Sequence, residues 1–366
     1  MFRLKFITFD AGDEDMLGAQ IQPVILNMKS CGSANLSRVT CGDWSDNDML
    51  ILGSSNGSSS VFSIASGVKQ LRLFESAASA ATGVDWRKDR CIRVVSKAPF
   101  DSSTFASGES SFVHLWSLES TRSVAPSASF RLIPPSVFSS SALSAPTLGS
   151  FAWSPHFRSI AAIGLSCGAL CILDTRAKEG ANTWWKTNAH KGAAITSINW
   201  NPLVPHWLAT SGSEAEIMIW DIRSTLKPAL CLRNHTGSVN ALSWSTDHCE
   251  LLLSGSSDCL QCTAVDSGGA PPHHSLFCSH LKPEIGGSVI AVNFLYNTGL
   301  PDHFRCFAVS DRGNVITVKA SNTFSQLLVA SRSSFPKDAS YDHDREVERL
   351  VYSRRLVEAL PVAISV

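Results

Sequence analysis

The sequence predicts an all-β fold built from repeated sheets, and three observations carry that expectation. Residues 188 to 224 read NAHKGAAITSINWNPLVPHWLATSGSEAEIMIWDIRS, with alternating apolar runs at Ile195 to Trp200, Trp207 to Ser211 and Ile217 to Ile222 divided by turn residues. Alternation over five or six residues marks a half-buried strand. Residues 234 to 265 repeat the layout, with His235 where His190 stood, Trp244 where Trp200 stood, and the Ser-Gly-Ser turn again. A recurring unit of this kind decides the architecture before any local motif does. Finally, 366 residues that are 44% hydrophobic suffice for a large buried core.

Four further units follow the same grammar less faithfully: CGDWSDNDMLILGSSNGSSSVFSI from Cys41, the stretch from Gly83 to Leu118, SFAWSPHFRSIAAIGLSCGALCILDTR from Ser150, and the stretch from Ala291 to Ser321. Together the units resemble WD repeats. The resemblance implies a WD-repeat β-propeller of about seven blades, of which six are readable. Each blade of such a fold is a four-stranded antiparallel sheet. It also implies a buried network in each blade linking a His, a small residue of the second strand, an Asp in the following turn and a Trp of the third strand. On this chain the implied network residues are His190, Ser211, Trp220, His235 and Asp258. The third-strand slot falls at Phe62, Trp116, Leu173, Trp220, Ala264 and Val318. Six residues earlier, where the family keeps Asp, stand Asn56, Ser110, Cys167, Glu214, Asp258 and Arg312. The network is therefore expected to be incomplete in every blade, with apolar packing holding most of them.

The expected boundaries are a propeller over residues 1–335 and a helical tail over 336–366. The runs RLKFITF and IQPVILNM are read as part of a seventh blade, closed by strands from 324 to 332, with an open six-blade fold as the alternative. The Ser-, Ala- and Pro-rich stretch from Ser120 to Pro146 is read as a long loop or linker between the second and third units. In the tail, Val347, Leu350, Val351, Val357 and Leu360 share roughly one face of a short C-terminal helix, with Pro361 as its stop.

Charge excludes some partners. Thirty-one basic side chains balance 31 acidic ones, so no bulk field draws nucleic acid or anionic lipid. Asp10, Asp13, Glu14 and Asp15 stand where a signal peptide needs apolar residues. No run is long enough for a membrane span. The expectation is a cytoplasmic chain, with a nuclear location as the alternative, and its eleven cysteines are read as reduced thiols; association with endosomes or vesicles is implied only by a resemblance to WD proteins of endosomal complexes.

Cys259, Cys262, His273, His274, Cys278 and His280 offer zinc-type ligands. Cysteines three apart on a strand point to opposite faces, however, so no metal is expected. No nucleophile elbow, phosphate loop or metalloprotease motif is present, so neither catalysis, a cofactor nor a small-molecule substrate is expected.

The functional lead lies at the ends of two strands. Leu173-Asp174-Thr175-Arg176 and Trp220-Asp221-Ile222-Arg223 set Asp and Arg two apart in consecutive units, so each pair shares one face. In WD proteins such boxes can mark receptors docking on the cullin-4 ubiquitin-ligase adaptor; a simple salt bridge at the propeller rim is the alternative. With Trp153-Ser-Pro-His156, Ala189-His190, Asn201-Pro202 and Ser254 to Asp258, the boxes are also similar to the later blades of WD proteins that partner endosomal tethering complexes. Peroxisomal import receptors and nuclear-pore propellers share parts of the pattern. The expected function is a protein-interaction scaffold in a multiprotein complex of protein transport, with Asp174, Arg176, Asp221 and Arg223 as interaction residues.

Overall fold

The computed structural model describes residues 3–6, 24–27, 39–45, 49–63, 69–75, 91–119, 125–132, 146–176, 183–186, 188–223, 227–246, 249–257, 259–265, 273–280, 287–295, 305–311 and 315–319. These residues form strands and turns, with no helix among them. The expected C-terminal helix and the closing strands at 324–332 lie outside the described residues.

The strands build sheets in chain order, the meander of propeller blades. β1 (Arg3–Phe6) and β2 (Val24–Asn27) pair as a two-stranded antiparallel sheet, as the N-terminal pattern predicts. Five four-stranded sheets follow. They are β3 (Val39–Ser45), β4 (Met49–Ser54), β5 (Ser58–Ser63) and β6 (Lys69–Glu75); β7 (Ile92–Lys97), β8 (Thr104–Glu109), β9 (Phe112–Ser117) and β10 (Ala128–Arg131); and β11 (Leu148–Trp153), β12 (Ile160–Leu165), β13 (Leu170–Asp174) and β14 (Thr183–Lys186). Then come β15 (Ile195–Trp200), β16 (Trp207–Gly212), β17 (Ile217–Asp221) and β18 (Leu230–Leu232), and β19 (Val239–Trp244), β20 (Leu251–Ser256), β21 (Cys259–Val265) and β22 (His273–His280). A three-stranded sheet of β23 (Val289–Leu295), β24 (Arg305–Ser310) and β25 (Val315–Lys319) ends the series. The fold class is the all-β one that the sequence predicts, a series of antiparallel sheets of the kind that form propeller blades. One expectation needs correction: β10 lies inside the stretch read as a loop and pairs antiparallel with β9. The chain divides into two compact units, Met1–Trp153 with Asp174–Thr183, and Ser154–Leu173 with Trp184–Val366.

A shared irregularity shows the repeat at the level of the backbone. β3, β7, β15, β19 and β23 each carry a register shift just after their first residue. A bulge turns one extra side chain and bends the strand. In two sheets that residue is a threonine placed to tie one sheet to the next. In the first unit the Thr40 hydroxyl donates to the Ile92 carbonyl at the start of β7, and in the second Thr196 donates to the Val239 carbonyl at the start of β19. Each such bond is worth about 1 kcal/mol net. An Asp or Asn side-chain oxygen adds a second tie near the other strand end. Asp43 accepts from the Lys97 amide at 2.8 Å and Asn199 from the Trp244 amide at 3.3 Å.

Trp153, Trp200 and Trp244 end β11, β15 and β19, equivalent positions in successive sheets. Trp200 and Trp244 are buried, whereas Trp153 is only half-buried. Two of the indoles repeat one tie: Trp153 Nε1 donates to Ser96 O at 3.3 Å and Trp244 Nε1 to Asn199 O at 3.2 Å. Apolar packing then fills the space between sheets. In the first unit Phe74 lies edge-on to Phe105, with centroids 5.1 Å apart, and beside Trp116. In the second, Ile217, Ile219, Leu232, Val239, Leu242, Trp244 and Leu252 form one buried cluster.

Candidate functional site

The polar centre of the β15–β18 sheet is a chain of four side chains. Trp220 Nε1 donates to Thr210 Oγ1 at 2.8 Å; Thr210 Oγ1 lies 2.7 Å from His190 Nε2; His190 Nδ1 lies 2.5 Å from Glu214 Oε1. One proton arrangement satisfies all of them. The Thr210 hydroxyl donates to Nε2, and the neutral ring donates its Nδ1 proton to the Glu214 carboxylate. Gly212 makes room for this fold-over, since a Cβ there would sit 2.0 Å from Glu214 Oε2.

Two expectations change here. Ser211 is not part of this network: Thr210 is, and the Ser211 hydroxyl donates to Val239 O at 3.0 Å instead. Adjacent strand residues point to opposite faces, so a one-residue error in the small-residue slot moves the hydroxyl from the network to the neighbouring sheet. The network is also complete without Asp, because the longer Glu214 reaches His190 from the same turn.

Burial holds the His190 imidazole below its ordinary value of 6.5, with Glu214 pulling the other way and losing. A group whose folded value is depressed costs nothing while both states are neutral. As pH falls below 6.5 the unfolded chain takes up the proton first and folding weakens. Wild-type protein is therefore expected to lose melting temperature between pH 7 and pH 5 more steeply than His190→Gln. Equal slopes in thermal melts across that range would show that His190 does not govern this window.

The sheet β19–β22 carries a shortened version. His235 Nε2 lies 2.8 Å from Ser254 Oγ, and its Nδ1 is met by Cys259 Sγ at 3.4 Å. Asp258 lies outside the described residues. Its third-strand slot is also corrected: Thr263, not Ala264, stands opposite Leu252, as Trp220 stands opposite Leu208 and Trp116 opposite Phe105. The turn from β20 to β21 is one residue shorter, which shifts the slot. Cys262 lies in β21 beyond Cys259, fully buried; the side chains of His273, His274, Cys278 and His280 lie outside what is described.

A third network was missed in the sequence. In the sheet β7–β10, Trp116 Nε1 donates to Ser107 Oγ at 2.8 Å as the pattern requires. The histidine comes from β9 itself, where the fully buried His114 lies 3.1 Å from Glu109 Oε1 and 2.8 Å from Ser129 Oγ. The only available signal was a histidine two residues before the Trp slot and a glutamate ending the preceding strand.

The Asp-Arg boxes sit just after the third strands β13 and β17, and each is a closed local motif. Arg176 grips Asp174 with Nε on Oδ1 at 3.0 Å and Nη2 on Oδ2 at 2.6 Å, while its own amide donates to Oδ1. Arg223 and Asp221 repeat this at 3.0 and 2.7 Å, with the same amide bond. The guanidinium hydrogen bonds hold both carboxyls below the usual carboxylate range. The Asp side chains are only 16% and 21% exposed, but the Arg side chains are 74% and 63% exposed. The fork is thus preorganised by its aspartate while most of the arginine side chain stays exposed to solvent. That is the surface a carboxylate- or carbonyl-bearing partner needs.

Comparison with known proteins bears on what such surfaces serve. Residues 105–261 match the family model described as the EIPR1 beta-propeller. Three relatives align over much the same share of the chain. A ribosome biogenesis protein WDR12 homolog of Chlamydomonas reinhardtii is 36% identical over 118 residues, 31% of this chain and 26% of its own. EARP and GARP complex-interacting protein 1 of Rattus norvegicus is 30% identical over 106 residues, covering 29% and 27%. Protein transport protein sec31 of Aspergillus terreus is 30% identical over 109 residues, covering 29% and 8%. The chain thus spans about a quarter or less of these relatives' lengths. A chain of the mitotic checkpoint complex crystal structure superposes with a TM-score of 0.58 at 16% identity, covering 78% of this chain and 75% of that one, a likeness of fold.

Proposed function

We propose that this chain is a non-catalytic protein-interaction scaffold, a WD-repeat subunit of a multiprotein complex in vesicle or endosomal transport. The match of residues 105–261 to the EIPR1 beta-propeller model is the observation that carries the reading. Relatives named for the EARP and GARP complexes and for protein transport point the same way. Its partners are then other proteins, met at loops and at the ends of the third strands, and its place is the cytoplasm, at endosomal or vesicular membranes without insertion. Propeller residues 1–335 and a helical tail over 336–366 complete the proposal.

The solvent-exposed side chains of Arg176 and Arg223 favour a second reading, that of substrate receptor for a cullin-4-type ubiquitin ligase. Affinity purification of the full chain from its native cell, with identification of the co-purifying proteins, separates the two. Tethering or coat subunits are the expected result. A cullin-4 adaptor in their place supports the second reading, and preribosomal proteins alone would overturn both.

A further inference from the structure

Two thiols meet where the β3–β6 sheet joins the β7–β10 sheet, both within the first unit. Cys41 follows the bulge of β3 and Cys91 immediately precedes β7, 50 positions away in sequence. Each Sγ lies 3.7 Å from one and the same oxygen, the Ile92 carbonyl, which Thr40 also reaches. Both cysteines are partly accessible to solvent. The bulge explains their convergence: it turns the side chains of Thr40 and Cys41 towards the start of the next sheet, where Cys91 enters.

We propose that Cys41 and Cys91 are a redox modification site, a dithiol that a hydroperoxide converts to a disulfide bonding the first strands of two consecutive sheets. The chemistry balances as two thiols and one hydrogen peroxide giving one disulfide and two waters. Peroxide oxidises one sulfur to a sulfenic acid, its O–O bond breaks and one water leaves. The second sulfur then displaces the hydroxyl of the sulfenic acid, and the second water carries off its proton. Burial pushes the Cys41 thiol up to about 11, so the first oxidation falls on the Cys91 thiol and Cys41 resolves it. The bond closes a long loop and adds a covalent tie at the point where the Thr40 hydroxyl already joins the sheets, so the oxidised protein unfolds at a higher temperature.

Cys262 and Cys306 provide an internal reference. They are close enough to influence one another electrostatically, but both are fully buried. Full-length protein is treated with graded hydrogen peroxide, blocked with a thiol alkylator, digested without reductant and mapped by mass spectrometry. The expected product is a Cys41–Cys91 linked peptide, with Cys262 and Cys306 still alkylatable after denaturation. The melting temperature should rise by several degrees and return on reduction. In Cys41→Ser, Cys91 should accumulate as a dimedone-trapped sulfenic acid with circular dichroism unchanged. Free or separately over-oxidised Cys41 and Cys91 in the wild type, or either one linked to another cysteine, would overturn the proposal.

Discussion

Thr210→Val is expected to lower the unfolding free energy by roughly 2–4 kcal/mol, seen as a fall in melting temperature of about 3–5 °C. Valine keeps the shape and removes one hydroxyl on which two buried groups depend. Trp220 Nε1–H loses its acceptor and His190 Nε2 loses its donor. Thr210 and His190 are fully buried and Trp220 nearly so, so water cannot replace what is lost. Each buried group left unsatisfied costs about 1–3 kcal/mol. Thr210→Ser, which keeps the hydroxyl, should recover most of the loss. Ser211→Ala breaks the bond to Val239 O and should cost about 1 kcal/mol. Denaturant melts in which Ser211→Ala is worse than Thr210→Val would restore Ser211 to the network and remove Thr210 from it.

Arg176→Ala combined with Arg223→Ala is expected to weaken binding of one protein partner by on the order of tenfold or more, the usual effect of losing an arginine anchor from an interface. Folding should hardly change. Both guanidiniums are exposed, exposed ion pairs contribute little, and each Asp retains the amide hydrogen bond that closes its turn. The two single variants show whether one box or both carry the contact. If the melting curve drops markedly, or every partner seen in quantitative pull-downs survives, the boxes serve only as local salt bridges.

Legibility in the sequence followed the strength of the local signal. The first three strands of most sheets alternate over five or six residues and were readable. Fourth strands such as Ala128–Arg131 and Leu230–Leu232 are three or four residues long and lie among polar loops. They become strands because the neighbouring strand offers them unpaired backbone groups. Among candidate residues, the Asp-Arg pairs were legible since partners two apart on an extended chain share a face, and the structure closes both pairs. Which hydroxyl completes the His190 network was not, since Thr210 and Ser211 are both small, polar and adjacent.

By itself, the sequence determined that this protein repeats a sheet, where the sheets fall, and which Asp-Arg pairs close at the ends of two of them. Those are consequences of periodicity and of bonds between residues close along the chain. Tertiary structure decided the rest. It placed Glu214 on His190 across a turn, chose Thr210 over Ser211 by strand register, moved the third-strand slot from Ala264 to Thr263, and brought Cys41 to Cys91. Each depends on side chains far apart in sequence, or on a one-residue choice of face, and such contacts are fixed only when strands pair in register and one sheet packs on the next.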